Sequence, residues 1–381
     1  MPAGGAPISS SLCLRCKRES GRRQGFSRDD VRRVLSRPLN AYKFFFRECR
    51  AALLAKRSNG CFLKVFLLGL PVFLVSCGVV PQQTLRIGAN LWPGYETLYL
   101  ARELGYYKDK PIRLFDYPSG TEQVKAYRNS EIDGAGLSID QVLDLAATQA
   151  NIKIIAVMDF SSGGDVILGQ PEIKNVKALM GRRIGVESTA LGAFLLARAL
   201  ERNGLHPQDV QIVSLELADH EQAFRNREID AVVTFGPARS RLLEEGATQI
   251  FDSSMIPGEI IDVLVVSDDA IARNPKAVQA LVDGRFKALG YFERNPLLAA
   301  KLMAKRTQVR PAQLLDSFQK LKQPSLQENQ ALLGQKNANL ALSINKLVDL
   351  MIKNRLIDNR VDPSALLDDQ FVRASSSQAS Q

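Results

Sequence analysis

The sequence contains no cysteine after Cys77, and its only histidines are His206 and His220. Residues 78–381 can therefore form no disulfide, no Cys-ligated metal site and no cysteine nucleophile. The patterns G-x-G-x-x-G, G-x-x-x-x-G-K-[ST], H-E-x-x-H and G-x-S-x-G are also absent. These absences argue against most hydrolytic and metal chemistry, so we expect no enzyme activity, no metal and no cofactor.

The net positive charge of the chain comes from its beginning. Residues 1–77 hold 15 Lys and Arg against 4 Asp and Glu, although the net charge of the whole chain is only +10. The remainder is close to neutral and therefore lacks the basic footprint of a nucleic-acid-binding domain. We predict no nucleic-acid partner.

Residues 1–76 are interpreted as a leader that includes a lipoprotein signal peptide. Basic residues precede an apolar run, Val65 to Val75, that is too short to cross a bilayer. The run ends in Leu74-Val75-Ser76-Cys77, which resembles a bacterial lipobox, so we expect lipidation of Cys77 and a membrane-anchored body. An ordinary cleaved signal or a buried helix is the alternative. Residues 1–55 suggest a start codon assigned too early, and Cys13-x-x-Cys16 lacks the second pair that a zinc site needs.

The body after Cys77 is duplicated. The recurring motifs are Arg86-Ile87-Gly88 with Arg183-Ile184-Gly185, Leu100-Ala101-Arg102 with Leu196-Ala197-Arg198, and Ala126–Asp133 with Ala223–Asp230. Each copy reads as alternating strands and helices, for example a strand at 183–186 and a helix at 190–203 that stops at Gly204 in the second copy. This alternation predicts parallel α/β sheets and two lobes. Strands at 152–160, 165–169 and 260–267 connect the copies and predict a hinge. Helices follow, two of them expected to be capped by Asn274 and Asn295 ahead of a proline, and we place this helical tail on the first lobe.

The body resembles the solute-binding proteins of ATP-driven (ABC) importers, in the nitrate/sulfonate/taurine group that also includes pyrimidine-precursor binders. The residues that carry the resemblance are Leu85-Arg86-Ile87-Gly88, Trp92-Pro93-Gly94-Tyr95-Glu96, the two Arg-Asn-x-Glu-Ile-Asp segments, Gly185-Val186-Glu187-Ser188 and Ile256-Pro257-Gly258-Glu259. The resemblance implies a two-lobed type II periplasmic-binding-protein fold with hinge strands and a C-terminal helical extension. We expect lobe I at 84–163 and 266–372, lobe II at 165–262, and a disordered tail at 373–381.

Ligands of open α/β sheets bind beyond the carboxyl ends of the strands, where helices begin. The candidate ligand-binding residues at these positions are Trp92, Tyr95, Glu96, Thr121 and Ser138 in the first lobe, Asp159, Ser161, Asp165 and Asp262 beside the hinge, and Ser188, Thr189 and Phe235 in the second lobe. Several have structural alternatives: Glu96, Ser188 and Thr189 suit any helix start, Phe235 suits a core, and the aspartates could pair with Arg or Lys of their own lobe. Tyr95 and Phe235 are candidates to sandwich the ligand.

These features predict an extracytoplasmic, lipid-anchored solute-binding protein on the periplasmic side of a bacterial membrane. It would take up a small-molecule ligand and present it to the permease and ATPase subunits of an ABC importer. The rivals are an enzyme on the same fold, such as a pyrimidine-precursor synthase or a chorismate-derived dehydratase, and a sensor lobe. The carboxylates near the hinge disfavour nitrate and favour a nitrogen-containing solute.

Overall fold

The computed structural model describes residues 83–148, 151–187, 190–334 and 338–375. Its strands are β1 (Leu85–Ala89), β2 (Ile112–Asp116), β3 (Gly134–Ser138), β4 (Lys153–Ser161), β5 (Val166–Gly169), β6 (Arg183–Val186), β7 (Gln211–Ser214), β8 (Ala231–Thr234), β9 (Thr248–Asp252), β10 (Ile261–Val266) and β11 (Leu321–Lys322). Its helices are α1 (Glu96–Glu103), α2 (Gly120–Arg128), α3 (Ile139–Thr148), α4 (Ala190–Arg202), α5 (His220–Arg225), α6 (Ala238–Glu244), α7 (Asp268–Arg273), α8 (Pro275–Arg294), α9 (Pro296–Thr307), α10 (Pro311–Gln319), α11 (Leu326–Leu333), α12 (Ala338–Lys353), α13 (Pro363–Leu366) and α14 (Gln370–Ala374). Among these residues, no helix has the length and apolarity that crossing a membrane requires. The expected leader and its Cys77 lie outside the described residues.

Two sheets define two lobes. The strand order is β11-β4-β10-β3-β1-β2 in lobe I and β7-β6-β8-β5-β9 in lobe II. Four neighbouring pairs are parallel, β1 with β2 and β3 and β6 with β7 and β8. The other five are antiparallel: β10 with β3 and β4, β11 with β4, and β5 with β8 and β9. The expectation of purely parallel sheets was therefore wrong.

The way the chain crosses between the lobes explains why strands β5 and β10 run antiparallel to their neighbours. Strand β4 ends at the carboxyl edge of its sheet, and β5 begins only a few residues later in the other sheet. A strand that enters a sheet at the edge where the parallel strands end has to run in the opposite direction. The return from β9 to β10 repeats this geometry. Lobe I therefore resumes at Ile261 and not at 266, because all of β10 is paired between β3 and β4.

The repeated motifs form the same ion-paired connection in both lobes. In lobe I, the Asp133 carboxylate accepts hydrogen bonds from Arg86 N, Nε and Nη2, each at 2.9 Å. In lobe II, Asp230 accepts the corresponding bonds from Arg183 at 2.9–3.1 Å. Each arginine also donates to a carbonyl three residues before its aspartate, at Ser130 or Arg227. This ion pair therefore fixes the first strand of each repeat copy, β1 or β6, to the start of the third, β3 or β8.

The two copies offer a matched test of this connection. Asp133 is more deeply buried than Asp230, with 6% against 21% of the side chain exposed, and it also accepts from Arg273 Nη2 at 3.1 Å. We expect Asp133→Ala to lower the free energy of unfolding by about 2–3 kcal/mol, because it leaves several charged hydrogen bonds unmade, and Asp230→Ala to have a clearly smaller effect. Urea denaturation of both variants measures the difference. Equal losses would contradict this account.

The helices after β10 pack on lobe I, as expected. Helix α8 lies against α1, while α11 and α14 contact β4. Asn274 caps α8 by accepting from Ala277 N at 3.3 Å, which confirms that cap. Asn295 makes no such side-chain cap; its amide instead donates to the Tyr291 carbonyl of the preceding helix at 3.4 Å, so that expectation was wrong. At the end of the chain, residues 373 and 374 still belong to α14, and residues 376–381 lie outside the described residues.

Candidate functional site

A cavity lies between the lobes, at the carboxyl edges of both sheets. Its lining residues are Asn90, Trp92, Tyr95, Gly120, Ser138, Gln141 and Asp262 from lobe I, Asp165 from the crossing into β5, and Glu187, Leu191 and Phe235 from lobe II. Its volume is about 20 Å³, which accommodates only about one water molecule. Any larger ligand can enter this conformation only if the lobes separate or side chains rearrange.

An aromatic contact closes one side of the cavity across the two lobes. The Trp92 and Phe235 rings meet edge to face, with their centroids 5.6 Å apart and their planes at 83°, which is a favoured aromatic geometry. Nearby, a Cβ on Gly164 would lie 2.8 Å from Trp92 Cη2. The ring that contacts Phe235 is thus the Trp92 ring, whereas the sequence had suggested Tyr95 as the partner of Phe235. The absence of a side chain at Gly164 leaves room for the Trp92 ring.

Buried aspartates surround these rings. Trp92 Nε1 donates to Asp159 Oδ2 at 3.0 Å, and the Tyr95 hydroxyl donates to Asp262 Oδ1. Burial raises the pKa of Asp159, and burial together with the Asp159 charge raises the pKa of Asp262 well above its ordinary value. Burial also raises the pKa of Asp165 to about 7, and its Oδ2 atom has no hydrogen-bond partner. The cavity is therefore rich in acceptor oxygens that are costly to leave ionised.

Asp140 adds a further carboxyl group behind the cavity. It lies in the first turn of α3, and burial raises its pKa to about 7 although the Ser138 hydroxyl favours the ionised form. The start of this helix is held by Gln141, whose side-chain Oε1 accepts from Ser138 N at 3.2 Å. The Gln141 amide oxygen is thereby used within lobe I.

The start of α2 contacts lobe II. Glu187 Oε1 accepts from Thr121 N at 3.1 Å and from Thr121 Oγ1 at 3.2 Å. Ser119 Oγ lies 3.4 Å from Glu216 Oε2, and these two residues are 97 positions apart, so they occupy equivalent positions in the two repeats. Polar contacts between the repeats therefore flank the cavity.

The crossings between the lobes are bonded to each other. Ser253, which follows β9, has its Oγ 2.8 Å from Ser161 Oγ and accepts from Gly163 N at 2.7 Å. Asp165 N donates to Ser161 Oγ at 3.3 Å. Ser161 therefore joins the two crossings.

Glu96 belongs to a different cluster. Its buried carboxylate pairs with Arg306 of α9, which also donates from Nε to Asp116 Oδ1 at 2.7 Å and lies 3.5 Å from the centroid of the Tyr99 ring. Burial raises the pKa of Glu96 to about 7, with Arg306 acting in the opposite direction. Glu96 lines a separate cavity of about 30 Å³ behind Trp92.

The structure brings half of the predicted site residues to the cavity. The six that line it are Trp92, Tyr95, Ser138, Asp165, Phe235 and Asp262. Four others lie outside its lining: Glu96 pairs with Arg306, Thr121 bonds Glu187, Asp159 accepts from Trp92, and Ser161 joins the crossings. Ser188 and Thr189 lie outside the described residues.

Asn90, Gly120 and Glu187 lie one or two positions from the predicted residues Trp92, Thr121 and Ser188, but were not themselves predicted. Gln141 and Leu191 were missed, because both lie inside helices that follow the strand ends. A search one turn into each helix after a strand end would have included them. No group of three or more His, Cys, Asp or Glu side chains in the described part of the chain is arranged to hold a metal ion.

Two α/β lobes joined by two crossings, with a cavity between their strand ends, define a two-lobed periplasmic-binding fold. The predicted fold class and family resemblance are both confirmed. The chain belongs to the NMT1-like family, whose model matches residues 78–307.

Its relatives include a putative binding protein of Brucella abortus, 26% identical over 64% of this chain and 77% of the relative. The putative aliphatic sulfonates-binding protein of Escherichia coli is 23% identical over 78% of this chain and 92% of the relative. Among solved structures, the alkanesulfonate-binding protein SsuA from Xanthomonas axonopodis pv. citri, bound to MOPS, has a TM-score of 0.63 at 21% identity, covering 75% of this chain and 98% of that chain. The desulfurization enzyme DszB has a TM-score of 0.59 at 16% identity, covering 77% and 98%, so this fold also carries enzymes.

Proposed function

We propose that this protein is the extracytoplasmic solute-binding component of an ABC importer, which captures a small organic solute between its lobes and presents the closed form to the permease and ATPase subunits. The observation that carries the proposal is the cavity between the lobes, with an unpartnered, buried Asp165 oxygen in its wall. Buried polar atoms normally have partners, so a bound solute would supply the missing one. The names of the relatives support a binding role.

The alternatives are an enzyme on the same fold and a sensor lobe. DszB shows that the fold admits catalysis. The described residues that line the cavity, however, include no cysteine and no histidine. His220 is buried beside Thr234, and burial lowers its pKa to about 4. These features favour binding over catalysis. A sensor lobe would use the same closure and would be recognised by a signalling receptor instead of a permease.

Capture by closure can be tested with cysteines introduced on either side of the cavity. We expect a Ser119→Cys/Glu216→Cys disulfide to hold the lobes together, because these side chains approach to 3.4 Å. Small-angle scattering should show a smaller radius of gyration for the oxidised than for the reduced protein. The oxidised form should also lose the binding of a pool of taurine, ethanesulfonate and ethanolamine, measured by equilibrium dialysis.

The matched control is Arg128→Cys/Asp144→Cys, which joins α2 to α3 within lobe I, where the two side chains form an ion pair at 2.6 Å. This disulfide should change neither the radius of gyration nor the binding. Equal binding by the oxidised and reduced forms of the interlobe pair would show that solute uptake does not need lobe separation.

We also propose that Cys77 is lipidated and anchors the body to a membrane. Multiple acyl chains give stable anchoring, whereas a single chain gives only marginal binding. Mass spectrometry of protein from the membrane fraction should find an acylated N-terminus at Cys77, and Cys77→Ala should move the protein out of that fraction. A mature protein with an unmodified Cys77 would contradict the proposal.

A further inference from the structure

The charged residues around the cavity indicate the sign of the charge on the bound solute. Three lining residues are acidic, Asp165, Asp262 and Glu187, while the described lining contains no Lys or Arg. The buried cation Arg285 lies outside the lining and donates to the backbone carbonyls of Met158 and Pro324. The described lining therefore offers carboxyl groups and no Lys or Arg, and a cation bound among them would favour their ionised forms.

Most of the strong donors in the wall already serve the protein's own carboxylates. The Trp92 indole donates to Asp159 and the Tyr95 hydroxyl donates to Asp262. Of the lining side chains, Asn90 and Gln141 keep neutral amide donors, and the buried Ser138 hydroxyl is a further neutral donor. Asp165 Oδ2, in contrast, is a buried acceptor without a partner. The described part of the wall thus supplies neutral donors but no cation, and the Asp165 oxygen requires a donor from a ligand.

A protein carboxylate already occupies the anion-binding position at the cavity. The first backbone N–H groups of a helix form a ready site for an anion. At the start of α2, however, Glu187 accepts from the N–H and the hydroxyl of Thr121, and Glu122 N donates to Ser119 Oγ. A sulfonate placed there would have to displace Glu187, in a cavity whose lining also holds the carboxyl groups of Asp165 and Asp262.

We propose that this cavity recognises a positively charged nitrogen group, such as an ammonium or amidinium, and that Glu187 excludes anionic solutes by filling the anion site at the start of α2. The inference rests on the proposed solute-binding function and adds the ligand class. Asp165 Oδ2 accepts from the nitrogen group, while Trp92 and Tyr95 offer aromatic faces that attract a cation. The solute class thereby differs from the sulfonates named for the relatives.

The test compares three solutes of similar size, ethanolamine as cation, taurine as zwitterion and ethanesulfonate as anion. Binding to the full-length protein in detergent is measured by calorimetry and by the fluorescence of Trp92, the only tryptophan of the chain. We expect ethanolamine to bind at least tenfold more tightly than ethanesulfonate. Asp165→Asn should weaken ethanolamine at least tenfold, and Glu187→Ala should strengthen ethanesulfonate at least tenfold by freeing the start of α2.

Glu216→Gln is the matched control, because Glu216 contacts the same end of α2 through Ser119 but does not line the cavity. It should leave the preference among the three solutes unchanged, and thermal unfolding of every variant checks that it folds. If ethanesulfonate binds wild-type protein as tightly as ethanolamine, or if Glu187→Ala leaves ethanesulfonate unchanged, the inference is overturned while the binding function stands. If none of the three binds and no solute is released from the purified protein on heating, the proposed function itself has failed.

Discussion

Raising the pH from 5.5 to 8 should lower the free energy of unfolding of the ligand-free protein by about 3 kcal/mol or more. Asp140 and Asp165 beside the cavity and Glu96 behind it have pKa values raised to about 7, chiefly by burial. In the unfolded chain such carboxyls titrate near pH 4. Between pH 4 and 7 the folded state therefore binds more protons than the unfolded state, so stability falls as the pH rises.

Two further buried carboxyls, Asp159 and Asp262, are neighbours on the paired strands β4 and β10 and act in the same direction. Burial and then the Asp159 charge raise the pKa of Asp262 on β10. Burial raises the pKa of Asp159 on β4, with a further contribution from the Asp165 charge, while the buried Arg285 on α8 favours the ionised form of Asp159 without cancelling the effect of burial. His220 acts in the opposite direction below pH 6.5, because burial lowers its pKa to about 4. Since several carboxyls oppose one histidine, the net slope stays negative.

Urea denaturation at several pH values measures this slope, and Trp92 fluorescence should change over the same range, since its indole donates to Asp159. Asp165→Asn should reduce the slope. Asp362→Asn should not, because the Ser364 hydrogen bonds hold the pKa of that exposed carboxyl below its usual range. Stability that is constant or rises from pH 5.5 to 8 would show that the carboxyls ionise freely in the folded state.

Arg306→Met should destabilise the protein by about 3–5 kcal/mol. Arg306 is 11% exposed and pairs with Glu96, which is fully buried. Removing one partner of a buried ion pair leaves the other charge uncompensated in a medium of low dielectric constant. Thermal or urea unfolding measures the loss, and the remaining Glu96 should be protonated at neutral pH.

Arg102 provides a matched control. Its guanidinium lies 5.1 Å from the Tyr99 ring centroid, against 3.5 Å for Arg306, but its ion pair with Glu103 is exposed. Arg102→Met should therefore cost less than about 1 kcal/mol. The double variant Glu96→Gln/Arg306→Met should recover part of the loss, because it buries no charge. An Arg306→Met loss no larger than that of Arg102→Met would mean that the buried pair contributes little.

Most elements of both repeats were predicted to within one or two residues. The strand at 183–186 was predicted with the bounds it has, and the helix at 190–203 differs by a single residue. These segments combine buried apolar periodicity with clear stops, such as Gly204 at a φ of +74°. Helices α3 and α6 were not predicted. Helix α3 begins directly after β3, and only three residues separate α6 from β8, so the sequence gives little sign that a strand has ended and a helix begun.

The site was only partly predictable, because the side chains that contact one another there are distant in sequence. Asp262 and Tyr95 are 167 residues apart, and Arg306 lies 210 residues from Glu96. Local pattern showed that Glu96 begins a helix, but not which cation would reach it. It also showed that the aspartates flank apolar strands, but not that Trp92 and Tyr95 would donate to them.

The sequence by itself determined the duplicated α/β architecture, the three strands that connect the two copies and the positions of the strand ends, because hydrophobic periodicity and short motifs act over a few residues. Only the tertiary structure decided the direction of β5 and β10, the pairing of Glu96 with Arg306 and the contact of Glu187 with the start of α2. These depend on where the chain crosses between lobes and on which side chains meet when the lobes close. Free energies of burial and charge pairing act between neighbours in space, and chain order does not record those neighbours.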